Sequence, residues 1–372
     1  MQFKRLIVNE NHRNFSGATP PILRGITPQQ IKSITEKRKN RNYTVSENKM
    51  ARRVKRPSSQ PGPRQIIPIP DRPDDKYLTT VKGEIKRIPV PEKGSFNAGL
   101  IAFDDKYIMT YRPNEYAFSA CILNKNLDII KDSHYQFDIT NCADPRLVWT
   151  PDNRLVMVYS STEEVGARNE CIRGCVIMDR NHADKFVRMK PFNISLPTIG
   201  GRQKNWMPFR HEDKIYLISS VCPHAIFEMK VLSNINAVCQ KRWETSWHNP
   251  WFYKEFLRGN TNAVQLDDGN YLGTFHTAVR LGPSMHYYDN GCYVFEGNPP
   301  FNVIKCSNRT YLKAEDAVEP HVRKRNLITV CFPVGMVRDE EKLLISYGDN
   351  DSAVKILTTT VEEMLNLTVD VY

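Results

Sequence analysis

An all-β fold, a five-bladed β-propeller behind a basic and partly helical N-terminal extension, is what three features of this sequence predict. The first is an internal repeat: an apolar run, an acidic turn and a second strand-like run recur five times in order. The second is spacing, since successive repeats end roughly 48 to 72 residues apart, room for about four short strands each. The third is texture. From about Tyr77 onward, short β-rich runs are punctuated by Asp, Asn and Gly. WD and kelch signatures are absent, and a β-sandwich, the competing fold, gives no reason for five hairpins of matching internal length.

The extension comes first along the chain. Residues 1–75 hold 16 Lys and Arg against 6 acids, and so carry nearly all of the net charge of +11. Thr27-Pro28-Gln29-Gln30 is a helix start, with Thr27 as cap, Pro28 in the first turn and Gln30 closing a capping box. A basic helix is expected from there to about Asn40, and a second short one after Ser46. "RPSSQPGPRQIIPIPDRP" then reads as an extended linker. The expected boundaries are an arm and linker over 1–75 and a propeller domain over 76–372. Such an arm suits an anionic partner, whether nucleic acid, a membrane surface or an acidic protein. Few aromatics interleave the charges, and a solvated tail or a strap along the body is the plainer reading.

The five hairpins follow. They are "AGLIAF-DD-KYIMTYR" ending at Arg112, "PRLVW-TPDN-RLVMVYS" ending at Ser160 and "WMPF-RHED-KIYLISS" ending at Ser220. "AVQL-DDG-NYLGTFH" ends at His276 and "GMV-RDEE-KLLISYG" at Gly348. Outer strands are expected from "FSACILN", "IRGCVIM", "IFEMKVL", "GCYVFE" and "AVKILTT". The 372 residues, 40% hydrophobic and 25% charged, suit globular domains, and no apolar run is long enough for a membrane span. "MQFKRLIVNENHRNF" lacks the apolar core of a secretory signal, so a cytoplasmic location is expected. Nine cysteines without a CxxC pair agree with reduced, buried thiols. The nine histidines are dispersed and form no HExxH or Cys-His cluster, so no metal or other cofactor is expected.

In a propeller the first strand of each blade lines the channel, and the second returns to the end where the first began. Counting back 15 or 16 positions from each hairpin's end reaches Asn97, Asp144, Asn205, Asn260 and Pro333. Arg146, Lys204 and Arg258 are their neighbours, and Arg112, His276, Asp349 and Asp351 stand at second-strand ends. Singly, an Asp before a strand is an ordinary turn former. Five blades presenting polar groups at one register predict a shared pocket. Such a pocket, with Trp149, Trp206, Tyr287 and Tyr288 as candidate platforms, suits a sugar, although each aromatic alone reads as core.

"ADPRLVW" resembles the EDPR motif of glycoside hydrolase family 130, the β-mannoside phosphorylases and hydrolases. "TYR" followed by "AFSACI", then "KNWMPF", "LRGNT", "LDDGNYLGTFH", "FPVGM" and "ISYGDND" resemble later motifs of that family in the same order. The resemblance covers roughly residues 96–356 and none of the arm; the related β-mannosyltransferase-phosphorylases share the fold. It implies an axial sugar pocket and inverting chemistry. On it, Asp144 matches the catalytic acid, which protonates the leaving oxygen through a sugar hydroxyl. Asn97, Arg112, Lys204 and Asp351 match sugar-holding positions, and Arg146 and Asn205 join them by register. His276 and Arg173 match positions that bind phosphate. Ala143 departs from the family's glutamate, and Asp349-Asn350 from two alanines, which is expected to add negative charge near the pocket. No second carboxylate is placed to activate water, so a phosphorylase or glycosyltransferase is favoured over a hydrolase or a non-catalytic sugar-binding propeller. The expected partners are an oligosaccharide or glycan and, as co-substrate, inorganic phosphate or a sugar nucleotide.

Overall fold

Every one of the five hairpins forms, and each becomes the inner half of a blade. A computed structural model describes residues 81–113, 117–161, 171–181, 183–187, 190–195, 203–249, 251–252, 257–280, 286–313, 316–320 and 330–371. The arm, helices and linker expected over 1–75 lie outside the described residues.

The described chain opens on a short strand, β1 (Glu84–Arg87). Blade 1 is β2 (Phe96–Phe103), β3 (Lys106–Arg112), β4 (Phe118–Leu123) and β5 (Tyr135–Phe137). Blade 2 is β6 (Cys142–Trp149), β7 (Arg154–Ser161) and β8 (Cys171–Asp179), with β9 (Ala183–Phe186) and β10 (Phe192–Ser195) outside them. Blade 3 is β11 (Met207–His211), β12 (Lys214–Ser220), β13 (His224–Ser233) and β14 (Asn236–Thr245). In blade 4 the inner position is split between β15 (Arg258–Gly259) and β16 (Val264–Gln265). Both pair with β17 (Tyr271–Arg280), followed by β18 (His286–Phe295) and β19 (Val303–Ser307). Blade 5 is β20 (Cys331–Asp339), β21 (Lys342–Asp349) and β22 (Ala353–Thr360).

The hairpin turns carry the residues their backbone needs. Asp104, Asn153, Glu212, Gly269 and Glu340 are all left-handed, one in each blade's first turn. The strands they join are apolar on both faces, because a blade is covered on both sides. Period two then divides the side chains between two neighbours. In β7, Leu155, Met157 and Tyr159 pack on blade 1, while Val156 and Val158 pack on blade 3. In β17, Tyr271 and Phe275 face blade 3 and Leu272 faces blade 5. A further cluster joins Leu100 and Met109 of blade 1 to Val337 and Ile356 of blade 5. Five apolar seams, one per blade interface, therefore close the ring. Each fully buried large side chain contributes about 1.5–3 kcal/mol.

The inner strands approach closely at the axis. A Cβ on Gly99 of β2 would lie 2.3 Å from the Pro145 carbonyl oxygen of β6, so only glycine fits there. Both ends of the described chain serve as outer strands. β1 pairs antiparallel with β22, Glu84 opposite Thr358, and completes blade 5. After β22, Thr360 caps a one-turn helix, α1 (Val361–Leu365), by accepting a 3.1 Å hydrogen bond from the Glu363 amide. β23 (Thr368–Asp370) then pairs with β19 at the edge of blade 4. The parallel pairing of β10 with β14, Ile194 opposite Ala237, links the outer edges of blades 2 and 3.

Candidate active site

The polar residues that open the blades are aimed by local backbone geometry. Asn97, Asp144 and Asn205 all have left-handed φ, 49°, 58° and 60°. Asn and Asp tolerate this region better than other residues with a Cβ. In β2 and β6 the strand register slips at these positions, between Phe96 and Gly99 and between Ala143 and Arg146. A bulge at the start of an inner strand re-aims the side chain without ending the strand. In β20 the slip recurs between Pro333 and Gly335. There proline's ring forbids positive φ, so blade 5 contributes no side chain of this kind.

Asp144 sits at the centre of the resulting cluster and is buried. Its Oδ1 accepts a 2.9 Å hydrogen bond from Asn97 Nδ2, and Arg112 Nη1 lies 3.4 Å away. Arg112 is braced in turn by the face of Phe96, 4.6 Å from the ring centroid. A Cβ on Gly348 would lie 2.1 Å from Asn97 Oδ1, so β21 walls this side chain in place. Burial alone would raise the Asp144 pKa. Arg112, Lys204 and Arg146, with the Asn97 hydrogen bond, outweigh it and hold the carboxyl below its usual range.

Arg146 is almost wholly buried and lies across the axis. It donates from Nη1 to the Asp144 carbonyl at 3.0 Å and from Nε to the Asn260 carbonyl of blade 4. Its burial lowers its pKa only to about 10, so it remains a cation at neutral pH. Asn260 Oδ1 accepts from His276 Nδ1 at 2.6 Å, and its Nδ2 donates to Asn290 Oδ1 at 3.0 Å. Asn290 Nδ2 donates to the carbonyls of Leu312 and Cys331 at 2.9 and 3.0 Å. The His276 ring stacks on Tyr288, with centroids 4.8 Å apart, and meets Phe332 edge-on. Beside this network a cavity of about 390 Å³ is lined by Lys204, Ser219, Ser220, Cys222, Leu257, Arg258 and Gly259. That volume is in the range of small-ligand pockets.

The structure thus brings together Asn97, Arg112, Asp144, Arg146, Lys204 and His276 from four blades. Asn205 shares their register, and its carbonyl packs on Gly259 of β15. Arg173 lies on β8 opposite Tyr159, at the same end of blade 2 as Asp144. Asp351 is half-buried in the left-handed turn after β21. Two expectations need correction. Asp349 adds no uncompensated charge: it is wholly buried, takes a 2.6 Å ion pair from Lys355 and accepts the Val318 and Glu319 amides. Trp206 and Trp149 are not platforms either. Trp206 is core, packed on Phe227, and Trp149 stacks on Phe103 and bonds the Ala102 carbonyl. Tyr288 does lie in the cluster, while the Tyr287 side chain lies outside the described residues. Asn290 escaped notice in the sequence. Its only signal is an amide inside the strand "HYYDNGCYVF", directly across from His276.

Comparison with known proteins agrees with this architecture. No curated protein sequence matches the chain. Among solved structures, a protein of Parabacteroides distasonis, named as a candidate glycoside hydrolase, superposes with a TM-score of 0.53 at 12% identity, covering 80% of this chain and 95% of that one. A glycosyl hydrolase from Bacteroides ovatus gives 0.51 at 13% identity, with 81% and 93% covered. A structure from work on the family 130 mannoside phosphorylases, which contain glycoside hydrolases that target β-1,2-mannosidic linkages in Candida mannan, gives 0.52 at 13% identity, with 78% and 93% covered. These likenesses are to the propeller fold. The sequence model of β-1,4-mannooligosaccharide phosphorylases matches residues 96–370, the span from the first strand of blade 1 to the last strand of the chain. The chain therefore belongs to glycoside hydrolase family 130, the family of the β-mannoside phosphorylases and hydrolases.

Proposed function

We propose that this protein is a glycoside phosphorylase that breaks, or in reverse forms, a β-mannosidic bond with inorganic phosphate, using Asp144 as the proton donor. One observation carries this reading: a buried carboxylate whose strongest charged neighbours, Arg112, Lys204 and Arg146, are all cations. Such a set binds an anion beside an acid. Inverting hydrolysis instead needs a second carboxylate to activate water. Asn97, Arg112, Arg146, Lys204, Asn205 and Asp351 hold the sugar, and the cavity flanked by Lys204 and Arg258, with Arg173, takes the phosphate.

In the free protein the cations keep Asp144 ionised. Phosphate offsets their charge, so the carboxyl gains a proton as the co-substrate binds. A phosphate oxygen then bonds to the anomeric carbon from the face opposite the leaving group. The glycosidic C–O electrons pass to the leaving oxygen, which receives the Asp144 proton through a sugar hydroxyl. Mannose 1-phosphate and a shortened glycan result.

The test is to incubate the protein with β-mannooligosaccharides and phosphate and to follow mannose 1-phosphate by phosphorus NMR. Asp144→Asn should lower turnover by about 10²–10⁴-fold while the melting temperature is kept. Full activity in that variant removes Asp144 from the chemistry. Free mannose released without phosphate would point to hydrolysis, and sugar binding without any product to a non-catalytic propeller.

A further inference from the structure

His276 is surrounded by cations and is itself a candidate cation for phosphate, yet its hydrogen bonds say otherwise. Two backbone carbonyls, of Leu312 and Cys331, both point at one end of the Asn290 amide. Only an NH₂ group can satisfy both, so that end is Nδ2, and Oδ1 faces Asn260. Asn290 Oδ1 then requires a donor, which makes the facing Asn260 atom Nδ2. Asn260 Oδ1 is left towards His276 and can only accept, so His276 Nδ1 carries a hydrogen. Reversing any amide would set oxygen against oxygen. The main chain of Asn260 is held as firmly, since Arg146 binds its carbonyl and its amide donates to the Thr274 carbonyl at 3.1 Å.

Burial first, and then charge, keep the second ring nitrogen bare. Arg146 on β6, Arg258 on β15 and Lys204 before β11 all oppose a proton there, and Asp144 favours one. Tyr288 and Phe332 close the ring in with aromatic surface. Burial and those cations together push the ring's pKa down to about 3, so it is neutral at physiological pH.

We infer that Asn290, acting through Asn260, holds His276 as the neutral Nδ1–H tautomer, so that Nε2 is a bare acceptor which receives a ligand hydroxyl and does not grip phosphate as a cation. Asn260 and Asn290 are positioning residues in this scheme. The hydroxyl belongs either to the sugar or to singly protonated phosphate, and both present the same O–H donor. The inference rests on the proposed reaction for its ligands but not for the tautomer, which the hydrogen-bond network of the free protein assigns.

The experiment is nitrogen NMR of full-length protein labelled at histidine, with His276→Asn used to assign the resonances. The expected result is an Nδ1–H, Nε2-bare ring at every pH from about 8 to 5. An imidazolium, or a hydrogen on Nε2, anywhere in that range overturns the inference. Mannose and inorganic phosphate are then added separately. A shift of the Nε2 resonance with mannose alone names the sugar hydroxyl; a shift with phosphate alone names the P–OH. Binding of both without a shift at Nε2 refutes the acceptor role. Asn260→Asp keeps the acceptor for Nδ1–H but adds a negative charge and loses the donor to Asn290. It should make the ring titrate near neutrality, weaken mannose about tenfold and tighten phosphate. Equal affinities in variant and parent also refute it. If neither ligand binds while the free ring shows the expected tautomer, the proposed reaction fails instead.

Discussion

A single buried imidazole shows how environment sets a residue's chemistry. His224 has no solvent exposure, donates from Nδ1 to the Phe301 carbonyl at 2.9 Å and packs on Tyr293 and Phe295. Burial pushes its pKa down to about 4. The unfolded chain, with an ordinary histidine near 6.5, therefore takes up the proton first. Its contribution to stability is complete above about pH 6.5 and drains away as pH falls towards 4, by roughly 3 kcal/mol. His276 acts with the same sign. We expect urea midpoints to fall between pH 7.5 and 4.5, and His224→Asn, which keeps a donor for Phe301 but does not titrate, to flatten the fall. An equally steep fall in that variant would assign the acid sensitivity elsewhere. At this scale the sequence was informative where the repeat singles a residue out. Asp144 and Asn97 stood out because the repeat places both at one register, 15 or 16 positions before a hairpin's end. Asn290 did not, because an amide inside a strand has no local meaning.

At the scale of the element, the hairpins were legible because period two and turn chemistry are local properties. The quoted runs coincide with β2–β3, β6–β7, β11–β12 and β20–β21, and in blade 4 with β16–β17. The Asp349-Asn350 pair shows the limit. As sequence it looked like charge near a pocket, whereas it ties the Val318, Glu319 and Val330 main chain to the end of β21. One residue earlier, Gly348 sets the spacing between β21 and Asn97. Gly348→Ala should push Asn97 off Asp144, cost about 1–3 kcal/mol by overpacking and weaken sugar binding by about tenfold. Calorimetry with a mannoside, beside a thermal melt, checks both effects. A variant that melts lower yet binds normally would show that the Asn97–Asp144 bond is dispensable.

For the whole molecule, closure of the ring matters most. β1 covers the edge of β22, and its Lys86 and Arg87 reach Asp128 and Glu319 at 2.7 and 3.4 Å. Removing it would expose an open sheet edge, a template for aggregation. Deleting residues 1–90 should therefore lower the melting temperature by several degrees and promote aggregation, whereas deleting 1–75 should leave the melt nearly unchanged. Equal losses from both deletions would place the arm within the stability of the propeller. Among the described residues no helix is long and apolar enough to cross a membrane. The sequence alone determined the blades, their turns and the two-sided apolar strands, because each follows from the order of neighbouring residues. Only the tertiary structure decided which charges meet. Arg112 of blade 1 and Lys204 before blade 3 are far apart along the chain, as is the neutral His276 of blade 4, and the left-handed openings and the closure of five blades bring them to Asp144. Charge acts through space and burial, and neither is a property of sequence order.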